Sequence, residues 1–373
     1  MASDLEEGAV LSDVHIDVHL SNQRSLGELA LTIFNFTVPQ SDHSSSNSED
    51  GSNTEGTREP KQKRLKTVED SVTVDEDGDL VLRRRKPNST EMEVHIQHAM
   101  ATPLDTVGLQ VWRGALLMCD FILHNQDIFK SHSVLELGGG VGLVSIIAGA
   151  VGASKVYCTD VGDRLLELCR DNVLKNQHLC EPTSKEIVKV RELDWLGDGL
   201  SEVCKTDKNV KSPSEWSTTD IEDVENNVDI LLAADIAYDS ELTDGFFKSV
   251  FDLMTRGRPK TLYVALERRY NFTLEDLDVT CKSYNHFRKC LCDLEGEYKC
   301  TEELAVSGSS SQAKSFLWSK VIEGQSEDKG QRSTPIKCLK VMSEQVLTDF
   351  PCYSDYTRVK ELELWKVSST FNP

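Results

Sequence analysis

The cysteines of this chain form none of the patterns that are typical of zinc sites. Of the 11 cysteines in 373 residues, no two are spaced as Cys-x-x-Cys, and the closest pair is Cys290 and Cys292. Cysteine-bound zinc sites normally use such closely spaced pairs. His95 and His98 lie three residues apart with no further ligand beside them, so we expect both to be exposed and to hold no metal.

The sequence also lacks a secretion signal and a long hydrophobic run. Residues 1–10 are acidic and contain no apolar stretch, so we expect no signal peptide. The longest apolar stretch, residues 141–151, is short and is interrupted by Gly142 and Gly149, so no membrane-spanning helix is expected. Together with the odd number of cysteines, these features indicate a reducing, intracellular compartment.

Basic residues are scarce relative to acidic ones. The chain has 41 Lys and Arg against 62 Asp and Glu, which gives a net charge of −21. Residues 93–373 carry about 13 of these excess negative charges. A chain this acidic is not expected to bind nucleic acid directly, because phosphate binding relies on lysine and arginine. A cationic substrate or partner suits it better.

Residues 41–92 contain no aromatic residue, and Ser, Glu, Asp, Gly and Asn dominate the first half of this segment. Such a segment buries too little apolar surface to fold, so we predict a disordered linker of mixed acidic and basic character. Two basic clusters, residues 61–66 and 83–86, flank an acidic spacer. This arrangement resembles a nuclear import signal, and we therefore expect the nucleus as the location, with the cytoplasm as a second one.

Residues 1–40 are predicted to form a small β element. Apolar and polar residues alternate over residues 14–20, and residues 31–38 show a second strand pattern. Because two strands alone are only marginally stable, we expect them to pack on a larger domain.

Residues 93–373 are predicted to form an α/β domain with a largely parallel sheet covered by helices on both faces. An irregular insertion is expected at about residues 305–335, and a sixth strand falls either within it or on one side of it. The predicted strands are residues 133–137, 155–159, 187–193, 229–233, 261–266 and 360–367, besides one near 94–96. The predicted helices are residues 108–124, 141–149, 164–176, 242–254 and 274–294.

A glycine-rich turn is the strongest chemical signal. Gly138 and Gly140 follow a predicted buried strand and open a helix, so backbone amides can approach a ligand there. Glu136 stands two residues before the first glycine, where an acid suits a ligand with a cationic amino group better than a pyrophosphate. Asp160 ends the next strand and can accept hydrogen bonds from ribose hydroxyls. A purely structural turn is the alternative.

Aromatic residues and a second acid surround the same sheet edge. Trp195 follows the third strand and could flank an adenine ring, or it could be a core aromatic. Trp112 could roof the same pocket, or it could pack within a helix. Asp235 and Tyr238 follow the apolar strand 229–233 at the carboxyl edge, where open α/β sheets bind ligands.

These motifs together resemble the family sixteen group of protein lysine methyltransferases, which have the class I, seven-strand, Rossmann-like fold and use S-adenosylmethionine. The resemblance covers residues 93–300 and 360–367, with Gly139 standing where this family often has alanine. It implies a catalytic region at Asp235 and Tyr238 and methylation of a lysine in a nuclear, nucleic-acid-binding protein. It also implies cofactor contacts at Trp112, Gly138, Gly140, Asp160, Trp195 and Ala234, beside the acid Glu136.

Other functions have different signatures. DNA amino-methyltransferases usually carry an Asn/Asp-Pro-Pro-Tyr/Phe turn, whereas residues 235–238 contain no proline. The paired-glutamate loop of arginine methyltransferases is not evident, and Glu136 argues against a nicotinamide-dependent oxidoreductase. A methyltransferase of another substrate class and a non-catalytic scaffold that binds S-adenosylmethionine stay open as alternatives.

Overall fold

The computed structural model describes part of the chain. The described residues are 10–14, 28–39, 73–74, 80–81, 89–180, 186–197, 199–200, 212–273, 278–304, 314–320 and 337–372. Two compact units are present, one of Met1–Phe36 with Met92–Pro373 and one of Thr37–Glu91.

Seventeen strands and seven α-helices occur in these residues. The strands are β1 (Val10–Leu11), β2 (Leu29–Pro39), β3 (Thr73–Val74), β4 (Leu80–Val81), β5 (Ser89–Ala99), β6 (Ala101–Thr102), β7 (Ser133–Leu137), β8 (Lys155–Asp160), β9 (Val188–Glu192), β10 (Val228–Ala234), β11 (Thr261–Glu267), β12 (Asn271–Thr273), β13 (Asp278–Thr280), β14 (Gly296–Leu304), β15 (Lys314–Lys320), β16 (Lys337–Val346) and β17 (Leu362–Asn372). The helices are α1 (Arg113–His124), α2 (Gln126–Phe129), α3 (Leu143–Ala150), α4 (Asp163–Asn176), α5 (Thr218–Asn226), α6 (Ser240–Thr255) and α7 (Lys282–Leu294), with 3₁₀ turns at Leu104–Leu109 and Gln177–Leu179.

A nine-stranded sheet forms the centre of the larger unit. Its strand order is β15-β14-β16-β17-β11-β10-β7-β8-β9. The five strands from β11 to β9 run parallel to one another, and β17 runs antiparallel to β11. From β7 the chain moves outward to β8 and β9, and it then returns to place β10 on the other side of β7. The switch point therefore lies between β7 and β10, where ligands bind at the carboxyl ends of such sheets.

Helices cover both faces of the sheet, as the alternation of side chains along β7 shows. Leu135 and Leu137 belong to an apolar cluster that includes Phe246 of α6 and residues of α5 and α7. The intervening Glu136 points to the opposite face and accepts a hydrogen bond from Ser145 of α3. The predicted α/β class, a largely parallel sheet with helices on both faces, is confirmed.

The prediction left one strand before the final one unplaced; in the sheet the strand that pairs with the final strand β17 on its outer side is β16, which lies beyond the predicted insertion. It runs antiparallel to β17 and hence parallel to β11. The prediction that residues 305–335 are irregular is wrong in part, because β15 lies within them and pairs with β14.

Two predicted helices begin later than the sequence pattern indicated. The α-helix predicted at residues 108–124 begins only at Arg113. Residues 108 and 109 end the 3₁₀ turn, and Gln110 is extended and donates hydrogen bonds to the Val10 carbonyl and to Thr102. In the described part of residues 274–294, residues 278–294, the helix begins at Lys282, because Asp278–Thr280, with two β-branched residues, pairs with Asn271–Thr273 as antiparallel strands.

The N-terminal predictions are confirmed in part. The strand predicted at residues 31–38 is β2, which pairs with β5. Residues 15–20 of the other predicted strand, and most of the linker 41–92 with both basic clusters, lie outside the described residues; β3 and β4 form a small antiparallel pair. The expectation that His98 is exposed is wrong: it is fully buried, with Nε2 2.8 Å from Thr32 Oγ1.

One described stretch, Leu104–His124, is long and apolar enough to cross a membrane by length and composition alone, with a mean hydropathy of 1.3. In the structure 72% of its most apolar window is buried within the fold. Its extended residues before Arg113 also interrupt the helix. A buried helix in the core of a folded domain passes the same test of length and composition.

Candidate active site

A cavity of about 620 Å³ opens at the carboxyl ends of β7, β8, β10 and β11. Its lining includes every residue that the sequence predicted for the site: Trp112, Glu136, Gly138, Gly140, Asp160, Trp195, Ala234, Asp235 and Tyr238. The structure thus brings together residues separated by more than 100 positions in the chain. The individual roles assigned to them stay predictions.

The glycine turn is shaped by close neighbours. Gly138 has a φ of 71°, and a Cβ there would lie 3.0 Å from the Trp195 ring. Gly140 has a φ of 53°, and a Cβ there would lie 2.9 Å from the Gly108 carbonyl oxygen. Both positions therefore need glycine for conformation and for space. The result is a narrow cradle of exposed backbone at one end of the cavity.

Asp160 is fixed against this turn by two backbone amides. Oδ2 accepts a hydrogen bond from Gly140 N at 2.8 Å, and Oδ1 accepts one from Val161 N at 2.8 Å. Burial raises the pKa of this carboxyl, while the two amides oppose the shift. Each carboxylate oxygen has a second lone pair, so the predicted contacts with ribose hydroxyls remain available to a carboxylate held in this orientation.

Glu136 lies deeper than its predicted role suggests. Only 1% of it is exposed, and Oε2 accepts a hydrogen bond from the Ser145 hydroxyl. Burial, opposed by Ser145, raises the pKa of Glu136 to about 7. The group therefore changes charge near neutral pH, and a ligand ammonium placed beside it would favour the carboxylate.

The aromatic residues contribute both to the core and to the cavity. Trp195 packs edge-on against Phe246, with ring centroids 5.3 Å apart, so the alternative role in packing applies to it as well. Its Nε1 is buried and has no hydrogen-bond partner within the described residues. Trp112 lies in extended chain just before α1, and its Nε1 donates to the Val107 carbonyl. Tyr238 is 39% exposed, and burial, followed by the charge of Asp160, raises its pKa to about 12.

Asp235 joins three parts of the fold through its side chain. Its Oδ2 accepts from Gly114 N at 2.7 Å, and its Oδ1 accepts from Glu267 N at 3.0 Å. Its backbone is left-handed, with a φ of 52°, a conformation that aspartate tolerates better than most residues. A Cβ at Gly114 would lie 2.6 Å from the carboxylate. The carboxylate thus caps the N-terminus of α1, a structural role that the sequence did not predict.

The sequence analysis missed a group of three charged residues, Asp13, Glu267 and Arg269, that lies at the cavity beside Trp112. Arg269 Nη2 lies 3.1 Å from Asp13 Oδ2 and 3.7 Å from Glu267 Oε2, and its guanidinium lies 4.6 Å from the Trp112 ring centroid. The signal was present, since the run of charges at residues 267–269 follows an apolar strand at the carboxyl edge. The predicted strand ends at residue 266, whereas β11 ends at Glu267, so the first charge of this run belongs to the strand.

Residues 89–210 match the family model described as lysine methyltransferase. The chain is 39% identical to methyltransferase-like protein 22 of Mus musculus over 301 residues and 40% identical to methyltransferase-like protein 22 of Homo sapiens over 293 residues. It is 28% identical to the protein-lysine N-methyltransferase EFM6 of Saccharomyces cerevisiae, over 52% of this chain and 80% of that relative. The resemblance predicted from the motifs is confirmed.

The mouse and human alignments cover 80% and 78% of this chain but 65% and 61% of the relatives. The chain therefore spans less than two thirds of the length of these proteins. The matches show what the chain is similar to, and its family, activity, substrate and partners are therefore proposals.

Proposed function

We propose that this chain is an S-adenosylmethionine-dependent protein-lysine N-methyltransferase. The observation that carries the proposal is the division of one cavity into two chemically different ends. One end has the glycine cradle with Asp160, and the other has Asp235 and Glu267 beside Arg269, whose guanidinium lies over the Trp112 ring. The first end suits a cofactor with ribose hydroxyls and an adenine ring, and the second suits a cation.

The residues of the first end fit S-adenosylmethionine. The turn at Gly138 and Gly140 leaves room that side chains would fill. Each Asp160 carboxylate oxygen keeps a second lone pair, and the buried Trp195 Nε1 has no acceptor among the described residues. When bound, this cofactor supplies a methyl group that its positively charged sulfur has already activated. The protein then needs mainly to hold the two reactants in line.

The second end must both attract a lysine and let it lose a proton. A lysine side chain has an ordinary pKa of about 10.4. Asp235 and Glu267 attract its ammonium, and the apolar lining residues Ile236 and Leu266 disfavour the charged form nearer the cofactor. Asp235 orients the resulting amine, and Tyr238 at the exposed side shapes the channel. Neither residue has to act as a strong base.

We further propose a non-histone substrate in the nucleus that binds nucleic acid, with the cytoplasm as a second location. The acidic surplus of residues 93–373 supports approach by a basic target segment. The two basic clusters in residues 61–86 support nuclear import. Neutralising Lys63, Arg64, Arg84 and Arg85 together should move a fluorescently tagged protein toward the cytoplasm; an unchanged distribution would contradict this signal.

The activity is tested by methyl transfer from labelled S-adenosylmethionine into a nuclear extract, with mass spectrometry of the modified residue. Asp160→Ala should weaken cofactor binding by about 10- to 100-fold, since lost hydrogen bonds to a buried group cost about 1–3 kcal/mol. Glu167→Ala, on the exposed face of α4, is the matched control. Methyllysine as product supports the proposal. Cofactor binding without transfer would instead indicate a scaffold, and methylarginine or a methylated base would indicate another substrate class.

A further inference from the structure

The cation-binding end of the cavity already holds a cation from the chain itself. The Arg269 guanidinium lies over the Trp112 ring, and Nη2 lies 3.1 Å from Asp13 Oδ2 and 3.8 Å from Asp235 Oδ2. Glu267 completes the group at 3.7 Å. An aromatic face with carboxylates around it is the environment that a lysine ammonium would seek.

The acids of this group have more acceptor capacity than Arg269 uses. Asp13 Oδ1 and Glu267 Oε2 are buried and have no hydrogen-bond partner within the described residues. Arg113 contributes a second cation, with Nη1 3.2 Å from Glu267 Oε1. Three carboxyl groups therefore face two guanidiniums, and burial, opposed by Arg269, raises the pKa of Asp13 to about 7. An ammonium with three N–H donors could satisfy oxygens that the planar guanidinium of Arg269 leaves unbonded.

Asp13 is held in place independently of Arg269. Ser12, beside it, donates from its backbone amide to the Met100 carbonyl and from its hydroxyl to the Val111 carbonyl. The Asp13 carbonyl accepts from Arg113 Nη2 at 3.2 Å. Arg269, by contrast, has 38% of its side chain exposed. The carboxylate of Asp13 would therefore stay when the guanidinium of Arg269 leaves.

We propose that Arg269 is a resident cation that the substrate lysine displaces, and that the ammonium then binds between Asp13 and Glu267 against Trp112. This proposal rests on the proposed function and adds a regulatory step to it. The N-terminal segment is thereby part of the acceptor site, because Asp13 supplies one of its carboxylates. In the absence of substrate, the Arg269 guanidinium neutralises Asp13 and Glu267. When the guanidinium moves away from the Trp112 ring, the site becomes available to the ammonium.

If the substrate must displace Arg269, the affinity of the site for an ammonium ligand should depend on Arg269. If the site is open only a small fraction of the time, the apparent dissociation constant of a ligand is raised by the reciprocal of that fraction. Removing the resident cation should remove this factor. We therefore expect Arg269→Ala to bind a lysine side-chain analogue at least about tenfold more tightly than the unaltered protein.

The probe is n-butylammonium, titrated by calorimetry into the full chain saturated with S-adenosylhomocysteine. Arg269→Ala and Arg269→Gln should both tighten its binding, Arg269→Lys should not, and Arg258→Ala, an exposed arginine outside the cavity lining, is the control. Adding Asp13→Asn to Arg269→Ala should reverse the gain. The expected result is tighter binding of n-butylammonium, and a merely structural role of Arg269 would not produce it.

Failure of this proposal can be told apart from failure of the proposed function. S-adenosylhomocysteine affinity is measured on each of the same samples and reports folding and the cofactor end. If that affinity is normal and Arg269→Ala and Arg269→Gln bind n-butylammonium no better than the unaltered protein, the displacement proposal is wrong. If the unaltered protein does not bind S-adenosylhomocysteine at all, the proposed function itself is wrong.

Discussion

The middle glycine of the turn allows a sharp test of how the site is packed. Gly139 does not have a left-handed backbone, so alanine is conformationally allowed there. A Cβ at this position would nevertheless lie closer than 3.0 Å to the Cys158 sulfur and 3.2 Å from Glu136 Oε2. Cys158 cannot retreat easily, because it is buried and its sulfur lies 3.5 Å from that of Cys169. The motifs resemble a family that often has alanine at this position. Glycine stands here instead because the sulfur of Cys158 on β8 occupies the space that a Cβ would need.

The size of the effect follows from this geometry. Ordinary contacts of a Cβ begin near 3.4 Å, so Gly139→Ala must push the sulfur or the turn aside. Overpacking of this kind costs about 1–3 kcal/mol in the free energy of unfolding. Cys158→Ala removes the sulfur and should cost about 1 kcal/mol alone. The double variant should then lose less than the sum, with a coupling of about 1–3 kcal/mol.

Urea unfolding of the four proteins measures this coupling, and calorimetry with S-adenosylmethionine shows whether the turn is displaced. Gly197→Ala is the control, because its Cβ would meet the Asp194 carbonyl oxygen at an ordinary 3.4 Å. Gly139→Ala alone should weaken cofactor binding, and Cys158→Ala should restore it. If the two substitutions are additive within about 0.5 kcal/mol, the steric explanation is wrong.

Three other changes have defined outcomes. In the folded protein the pKa of Glu136 is about 7, above its ordinary 4.5, so on raising the pH the unfolded chain loses this proton first and the free energy of unfolding falls by about 3 kcal/mol between the two values. Glu136→Gln should lack this fall when urea unfolding is measured at pH 5 and pH 8. Equal falls in the variant and the unaltered protein would contradict the prediction. Asp235→Ala leaves the amides of Gly114 and Glu267 without acceptors, so it should lower the free energy of unfolding by about 2–5 kcal/mol. It should also slow methyl transfer by about 10². Asp235→Asn keeps one acceptor oxygen and should lower the free energy of unfolding by about half as much as Asp235→Ala. Asp120→Ala removes the buried carboxylate that lies 2.5 Å from the Arg358 guanidinium, and it should lower the free energy of unfolding by about 3–5 kcal/mol. Cofactor affinity, measured by calorimetry, should stay unchanged, because neither residue lines the cavity.

The cofactor end of the site could be predicted because local rules determine it. A strand, a glycine turn and a helix specify a backbone cradle, and the carboxyl ends of parallel strands meet at one edge. Gly138, Asp160 and Trp195 follow three neighbouring strands, so their convergence is a consequence of topology. The same rule places Asp235 at that edge, although nothing in its neighbours along the chain shows that two backbone amides will occupy its oxygens.

The second, cation-binding end of the cavity, formed by Asp13, Asp235, Glu267 and Arg269 beside Trp112, is called the acceptor end here, and it could not be predicted in the same way. The ion pair between Asp13 and Arg269 joins residues 256 positions apart, and neither belongs to a periodic pattern. The small β element was expected to pack on the domain, but its contribution of a carboxylate depends on β1 pairing with β6, a two-residue match that carries almost no sequence signal. The late start of α1 has a similar origin, because the bonds that extend the preceding chain come from distant residues.

The segment Gln110–Gly114 shows how a short motif can be explained residue by residue once its partners are known. Gln110 bonds to β1, the Val111 carbonyl accepts from Ser12, and the Trp112 ring supports Arg269. Arg113 pairs with Glu267, and the Gly114 amide is bound by Asp235, whose carboxylate leaves no room for a side chain at that position. Each residue therefore contacts a different neighbour of the acceptor end. The segment couples the N-terminal strand, the helix α1 and the edge of β10, so a change at any of its positions should disturb the binding of a cation before it disturbs the glycine turn.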